Sequence, residues 1–190
     1  MIGQKKATKM VEKSLLVPSA VLKDTPSHSS GISAKDEKDL RAYGAALIQR
    51  AGILLRLPQA VVTSGQVIFH RFYFRVPFNQ YEVRFSAMAS LLLANKYLET
   101  HRFLVHFCHV LSHLIAKDEG ASSPTPAVDP TSTDFKKMKK DIFRYERYIL
   151  KELGYEVSLL FDLPHKFVLR TIQMIFEKGQ VAKQHSLAQA

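Results

Sequence analysis

At 190 residues, 46% hydrophobic and 10% aromatic, the chain carries enough apolar side chains to bury a proper core, which excludes an intrinsically disordered protein and suits one domain with ragged ends. Its one cysteine, Cys108, excludes an internal disulfide and a multi-cysteine metal site, and it fits a reducing compartment. A net charge of +10 points to an acidic or phosphate-bearing partner and says nothing about the fold.

Residues 1–32 mix lysine, serine and proline with little periodicity and read as a flexible basic arm. Lys5, Lys6 and Lys9 form a weak nuclear-import pattern. The LLVPSAVL run that follows is short, contains Pro18 and lacks a cleavage site, so no signal peptide is expected. Nor does any run reach the roughly 18 apolar residues of a membrane span. The protein is expected inside the cell.

Ser33 with Asp36 and Glu37 gives a helix-start pattern, and Leu40, Tyr43, Leu47, Ala51 and Leu54 then recur at helical spacing. Leu57 and Pro58 stop this first helix and start a second, on which Val61, Gly65, Ile68 and Phe72 mark the buried face; Pro77 is expected to end it. Over residues 79–99 a third helix is apolar on every side, with Ser86, Ala87, Ala89, Ser90 and Ala94 interleaved among larger side chains. Such a helix belongs at the centre of a fold, with neighbours approaching closely on several faces.

A fourth helix is expected over 101–116, with Leu104, Phe107, Leu111 and Ile115 inward. His106, His109 and His113 fall on its opposite side, where a solvated polar face is a simpler account than a metal site; no metal or cofactor is expected. A proline- and serine-rich loop leads to a fifth helix over 134–153, stopped by Gly154. After an extended YEVSLLFD, Pro164 opens a sixth helix carrying a Phe167, Val168, Ile172 and Ile175 stripe. Residues from 179 onward are polar and read as a frayed tail. The expected fold is therefore all-α, five helices around a central third, with the sixth beginning a unit over 158–178.

On the fifth helix Ile142, Tyr145, Ile149, Leu150 and Leu153 share one side, while Lys136, Lys140, Arg144, Arg147 and Lys151 form a basic stripe opposite. That stripe reads either as a wet helix face or as a contact for RNA or a phosphoprotein. Glu146 lands on the apolar side among Ile142, Phe143, Ile149 and Leu150, with no salt partner on its own helix. Two arrangements satisfy it: Glu146 reaches across to a cation, Lys96 at the end of the third helix being the obvious candidate, or it sits in water at the rim while Lys96 pairs with Glu99.

The segments LIQRAGILLRLPQ (47–59), SGQVIFHRFYF (64–74), ASLLLANKYLE (89–99), RYERYILKELGY (144–155) and LPHKFVL (163–169) resemble, in order and with compatible spacing, the cyclin box of the L-type cyclins. The resemblance implies a cyclin box over 33–157 and a second, incomplete cyclin repeat from 158. It also implies a nuclear regulatory subunit of a cyclin-dependent kinase, not an enzyme itself, linked to transcription and pre-mRNA splicing. The family's kinase-binding lysine and glutamate fall on Lys96 and Glu146, with Leu93, Tyr97, Glu99, Leu150, Tyr155 and Val157 around them. Two departures stand out: where the family has paired acids after the lysine this chain reads Lys96-Tyr97-Leu98-Glu99, and His101 replaces a usual proline. The arginine-serine-rich tail of L-type cyclins is absent from this sequence, as a truncated isoform or a diverged paralogue would have it. The alternative is a cyclin-fold adaptor that binds RNA, DNA or a transcription factor and activates no kinase, suggested by the net charge and the basic stripe.

Overall fold

The computed structural model describes residues 24–121, 128–157, 167–168 and 170–177. The chain divides into two units, Met1–Val157 and Ser158–Ala190. The first holds helices α1 (Ala34–Leu54), α2 (Gln59–Tyr73), α3 (Val83–Tyr97), α4 (Leu104–Asp118) and α5 (Thr133–Glu152), preceded by a helical turn over Pro26–Ser29. Among the described residues there is no strand, and no helix is long and apolar enough to cross a membrane.

Local chemistry sets the start of α1 and both ends of α5. Ser33 caps α1 by accepting the Asp36 amide at 3.1 Å, and Ser132 caps α5 by accepting the Phe135 amide at 3.1 Å. Past α5, Gly154 takes a left-handed φ of 63°, where a Cβ is unwelcome. α2 stops at Tyr73, four residues before the expected Pro77. Its linker is drawn into the core instead: Val76 and Phe78 are buried, and the Phe78 ring lies flat on Tyr73 with centroids 3.7 Å apart. α3 is correspondingly shorter than the 79–99 expected, because the Tyr81 carbonyl is taken by the Tyr73 hydroxyl at 2.9 Å.

α3 is the hub. Every residue from Ser86 to Asn95 is buried, and α3 packs against each of the other four helices. Small side chains make this geometry accessible: a Cβ on Gly65 of α2 would stand 3.1 Å from the Leu91 backbone. Ser90 bonds the Ser86 carbonyl at 2.8 Å, so the hub's hydroxyl needs no outside partner.

α1 turns Leu47 and Ala51 inward as its aliphatic spacing suggests, but the rest of its buried face differs from that spacing. Gly44, Leu47, Ile48, Ala51 and Gly52 are buried, whereas Leu40 and Tyr43 are half-buried and Leu54 is exposed. The reason is close approach: a Cβ on Gly44 would lie 2.1 Å from the Phe69 ring, and one on Gly52 2.3 Å from a Val62 methyl. On α4, Phe107 and Leu111 are inward as expected, but Cys108 and Leu114 complete the buried face and Leu104 and Ile115 are only half-buried.

Residues 24–32 correct the arm reading. Ser27 is fully buried and accepts the Phe78 amide at 3.2 Å, and the Thr25 hydroxyl donates to the buried Glu37 carboxylate. Serine, threonine and proline here serve as cap, first-turn residue and anchor, a use that composition alone does not reveal. In the second unit, residues 170–177 are helical and Phe167, Val168, Ile172 and Ile175 are exposed. Pro164 and most of the extended segment before it lie outside the described residues, as do 1–23 and the tail from 178.

Candidate functional site

Lys96 stands in the last turn of α3, where free carbonyls favour a cation, and Glu146 in the middle of α5. Two arginines at and just past the C-terminal end of α2 hold the end of α5 and the residues after it: Arg75 donates to the Glu152 carbonyl at 2.9 Å and Arg71 to the Glu156 carbonyl at 3.1 Å. On α5, the wholly buried Ile142 and Ile149 flank Glu146 and turn it toward α3.

The two groups meet. Lys96 Nζ is 2.6 Å from Glu146 Oε1, and it lies 5.4 Å from the Phe143 ring centroid. Glu146 is 8% exposed, yet the Lys96 side chain is 50% exposed. The pairing of Lys96 with Glu99 is not formed, because the helix has ended and Glu99 turns away at a φ of 52°. Glu146 Oε2 takes no hydrogen bond from a described residue, and the half-exposed ammonium keeps N–H donors to spare. The pair is thus closed on itself through one contact and open outward as both acceptor and donor.

The other expected residues are spread over the surface and the core. Leu93 is buried, Leu150 and Val157 are half-buried, and Tyr97, Glu99 and Tyr155 are exposed, Tyr155 at a φ of 60°. Leu98 and Phe143 are exposed apolar side chains near the pair, and neither is among the residues that the resemblance assigns to the kinase contact. Phe143 sits three positions before Glu146, so its wheel position was the available signal.

The basic stripe is not one site. Lys136, Lys140 and Arg147 join Lys139, which the wheel missed, around an open depression of about 500 Å³ that also takes in Phe143 and Glu146. Arg144 instead pairs with Asp141 at 3.3 Å, and Lys151 is exposed outside the depression. The histidines are less uniform than a solvated stripe. His106 is exposed, but His109 is half-buried with Nε2 2.9 Å from the Val128 carbonyl, and His113 is half-buried. Among the described residues no three His, Cys, Asp or Glu side chains gather to hold a metal.

Residues 19–158 match the family described as the cyclin N-terminal domain. The match begins ahead of α1 and so includes the packed segment 24–32. Cyclin-L1 of Xenopus laevis is 39% identical over 163 residues, which cover 84% of this chain and 31% of that protein. Cyclin-L1-1 of Oryza sativa subsp. japonica is 39% identical over 147 residues, covering 77% and 34%. Human cyclin-L2 is 37% identical over 160 residues, covering 84% and 30%. The chain therefore spans about a third of the length of the curated relatives it matches. A hub helix ringed by four others, matched over these residues, places the chain in the cyclin family, on its L-type branch.

Proposed function

We propose that this chain is the kinase-binding part of a regulatory subunit, which grips a cyclin-dependent protein kinase through Lys96 and Glu146. The observation that carries this reading is the half-open pair: Lys96 and Glu146 meet at 2.6 Å, yet a carboxylate oxygen and ammonium donors remain for a partner, with Tyr97, Leu98 and Phe143 exposed around them. A partner helix presents backbone N–H and C=O groups at its ends, and these match that mixed polarity. Holding a kinase helix inward brings its glutamate to the lysine that positions the ATP phosphates, so the subunit activates without touching the reacting atoms. Likeness to L-type cyclins supports a nuclear role in transcription and pre-mRNA processing.

Charge inversion tests the reading. Lys96→Glu with Glu146→Lys keeps an internal pair but reverses what a partner meets, and kinase co-purification from nuclear extract is expected to be lost while helicity stays. Truncating a desolvated charge at an interface costs about 2–5 kcal/mol, so the loss is at least ~30-fold. Undiminished kinase capture by the swapped chain overturns the assignment.

A second reading, an adaptor binding nucleic acid without activating a kinase, is favoured by one observation: four cations, Lys136, Lys139, Lys140 and Arg147, line the depression around an aromatic ring. Its affinity for single-stranded RNA must then fall steeply with salt. A flat salt response removes it.

A further inference from the structure

Thr25 is followed by Pro26, and its side chain has two roles. Its Oγ1 accepts the His28 amide at 3.2 Å as cap of the turn Pro26–Ser29, and it donates its proton to Glu37 Oε2. Glu37 is buried and paired with Arg41 at 2.6 Å. Arg41 is itself held by the Tyr73 carbonyl at 3.0 Å and lies over the Phe74 ring at 4.3 Å. Two residues beyond Thr25, Ser27 receives the Phe78 amide. One hydroxyl proton therefore makes the contact between segment 24–32 and the buried acid of α1 attractive.

We propose that Thr25 is a phosphorylation site for a proline-directed protein kinase, and that its modification releases residues 24–32 from α1. Proline has no amide N–H, so it suits a substrate channel that offers no acceptor after the phosphorylated residue. In the reaction Thr25 Oγ1 bonds to the γ-phosphorus of ATP, the bond to the β–γ bridging oxygen breaks, ADP leaves, and the hydroxyl proton passes to the kinase's base. The docked residue is 8% exposed, so the kinase acts on the opened segment; a short segment held at the edge of a fold opens locally at lower cost than the whole fold.

Closure then fails for an electrostatic reason. The phosphate has lost the proton that Glu37 accepted, and it adds a charge of about −1.5 to −2 to a cluster in which Glu37 and Arg41 cancel. Arg41 cannot turn to it freely, since its Nε and Nη2 are both committed to Glu37. The segment's other charged groups, Asp24 and His28, are exposed and face each other at 3.7 Å, so neither compensates. A four-residue turn supplies little helix-terminal field.

The test uses the full chain carrying Ser123→Ala and Thr125→Ala, which removes its other two Ser/Thr-Pro sites. It is treated with a purified mitogen-activated protein kinase and ATP, then followed by peptide mapping and hydrogen exchange. Phosphate is expected on Thr25, and the amides of Ser29, Ser30, Gly31, Ile32 and Phe78, all bonded in the docked state, should exchange at least about tenfold faster while α3 is unchanged. In Glu37→Gln the same phosphate should produce a several-fold smaller rise. Thr25→Asp compared with Thr25→Asn makes the same comparison without a kinase, with protection lost only in the aspartate chain. No phosphate on Thr25, undiminished protection in the phosphorylated chain, or equal protection in the Asp and Asn chains overturns the proposal.

Discussion

Glu37 and Glu146 are both buried carboxylates facing a cation on a helix, and they differ in what surrounds the cation. Arg41 is 15% exposed and bound on several sides, whereas Lys96 is half in water. Arg41→Ala strands Glu37 without a counter-charge, a loss of about 3–5 kcal/mol. Lys96→Ala opens Glu146 to solvent and costs about 1 kcal/mol or less. Urea midpoints of the two variants check this; similar losses would mean that the Lys96 pair is a structural fixture. The two acids were not equally legible. Glu146 betrayed itself by having no partner within reach on its own helix. Glu37 looked like an ordinary first-turn acid, because its partner Thr25 lies in a segment whose composition suggests a loose arm.

Among the elements, α2 and α5 could be read from apolar spacing because their buried faces are built mainly from large side chains, and α3 because it is apolar on every side, with small residues interleaved. α1 could be placed by its spacing, with Leu47 and Ala51 inward, but the rest of its inner face could not, since its innermost positions include Gly44 and Gly52, which contribute nothing to an apolar pattern and permit the closest packing. Gly44→Ala and Gly52→Ala each add one methyl group that Phe69 and Val62, both buried, must make room for. Each is expected to destabilise by about 1–3 kcal/mol, despite the better helix propensity of alanine, and thermal unfolding measures it. α1 is also tied to the end of α4, where Asp118 accepts from Arg50 at 2.7 Å and from the Tyr43 hydroxyl at 2.9 Å. The Arg50 bond, aided by Tyr43, holds the Asp118 carboxyl below the usual carboxylate range. A lowered folded value contributes stability that is fully present above the unfolded pKa of about 3.9 and is lost as pH falls from there through the lower, folded one. Asp118→Asn should therefore be less stable than the parent by up to about 1 kcal/mol at pH 7, with the difference closing as pH falls below the ordinary carboxylate range.

For the whole molecule, the apolar pattern gives the helices and the resemblance gives their arrangement, but neither says how the residues after Val157 share in stability. The first unit has a hub buried on all sides, helix ends held from within by Ser33, Ser132 and Arg75, and the segment after α5 held by Arg71. Those contacts all lie within Met1–Val157. The helical residues 170–177 instead leave Ile172, Met174, Ile175 and Phe176 exposed. Exposed apolar side chains gathered on one short helix promote association. Deleting residues 158–190 should then leave one cooperative thermal transition within about 3 °C of the parent's, a shift that corresponds to about 1 kcal/mol or less in a chain of this size. The shortened chain should also stay monodisperse at concentrations where the parent self-associates, as sedimentation of both would register. If truncation lowers the midpoint by much more, the second unit braces the first, and the cyclin box of this chain is not the self-sufficient body that its internal capping suggests.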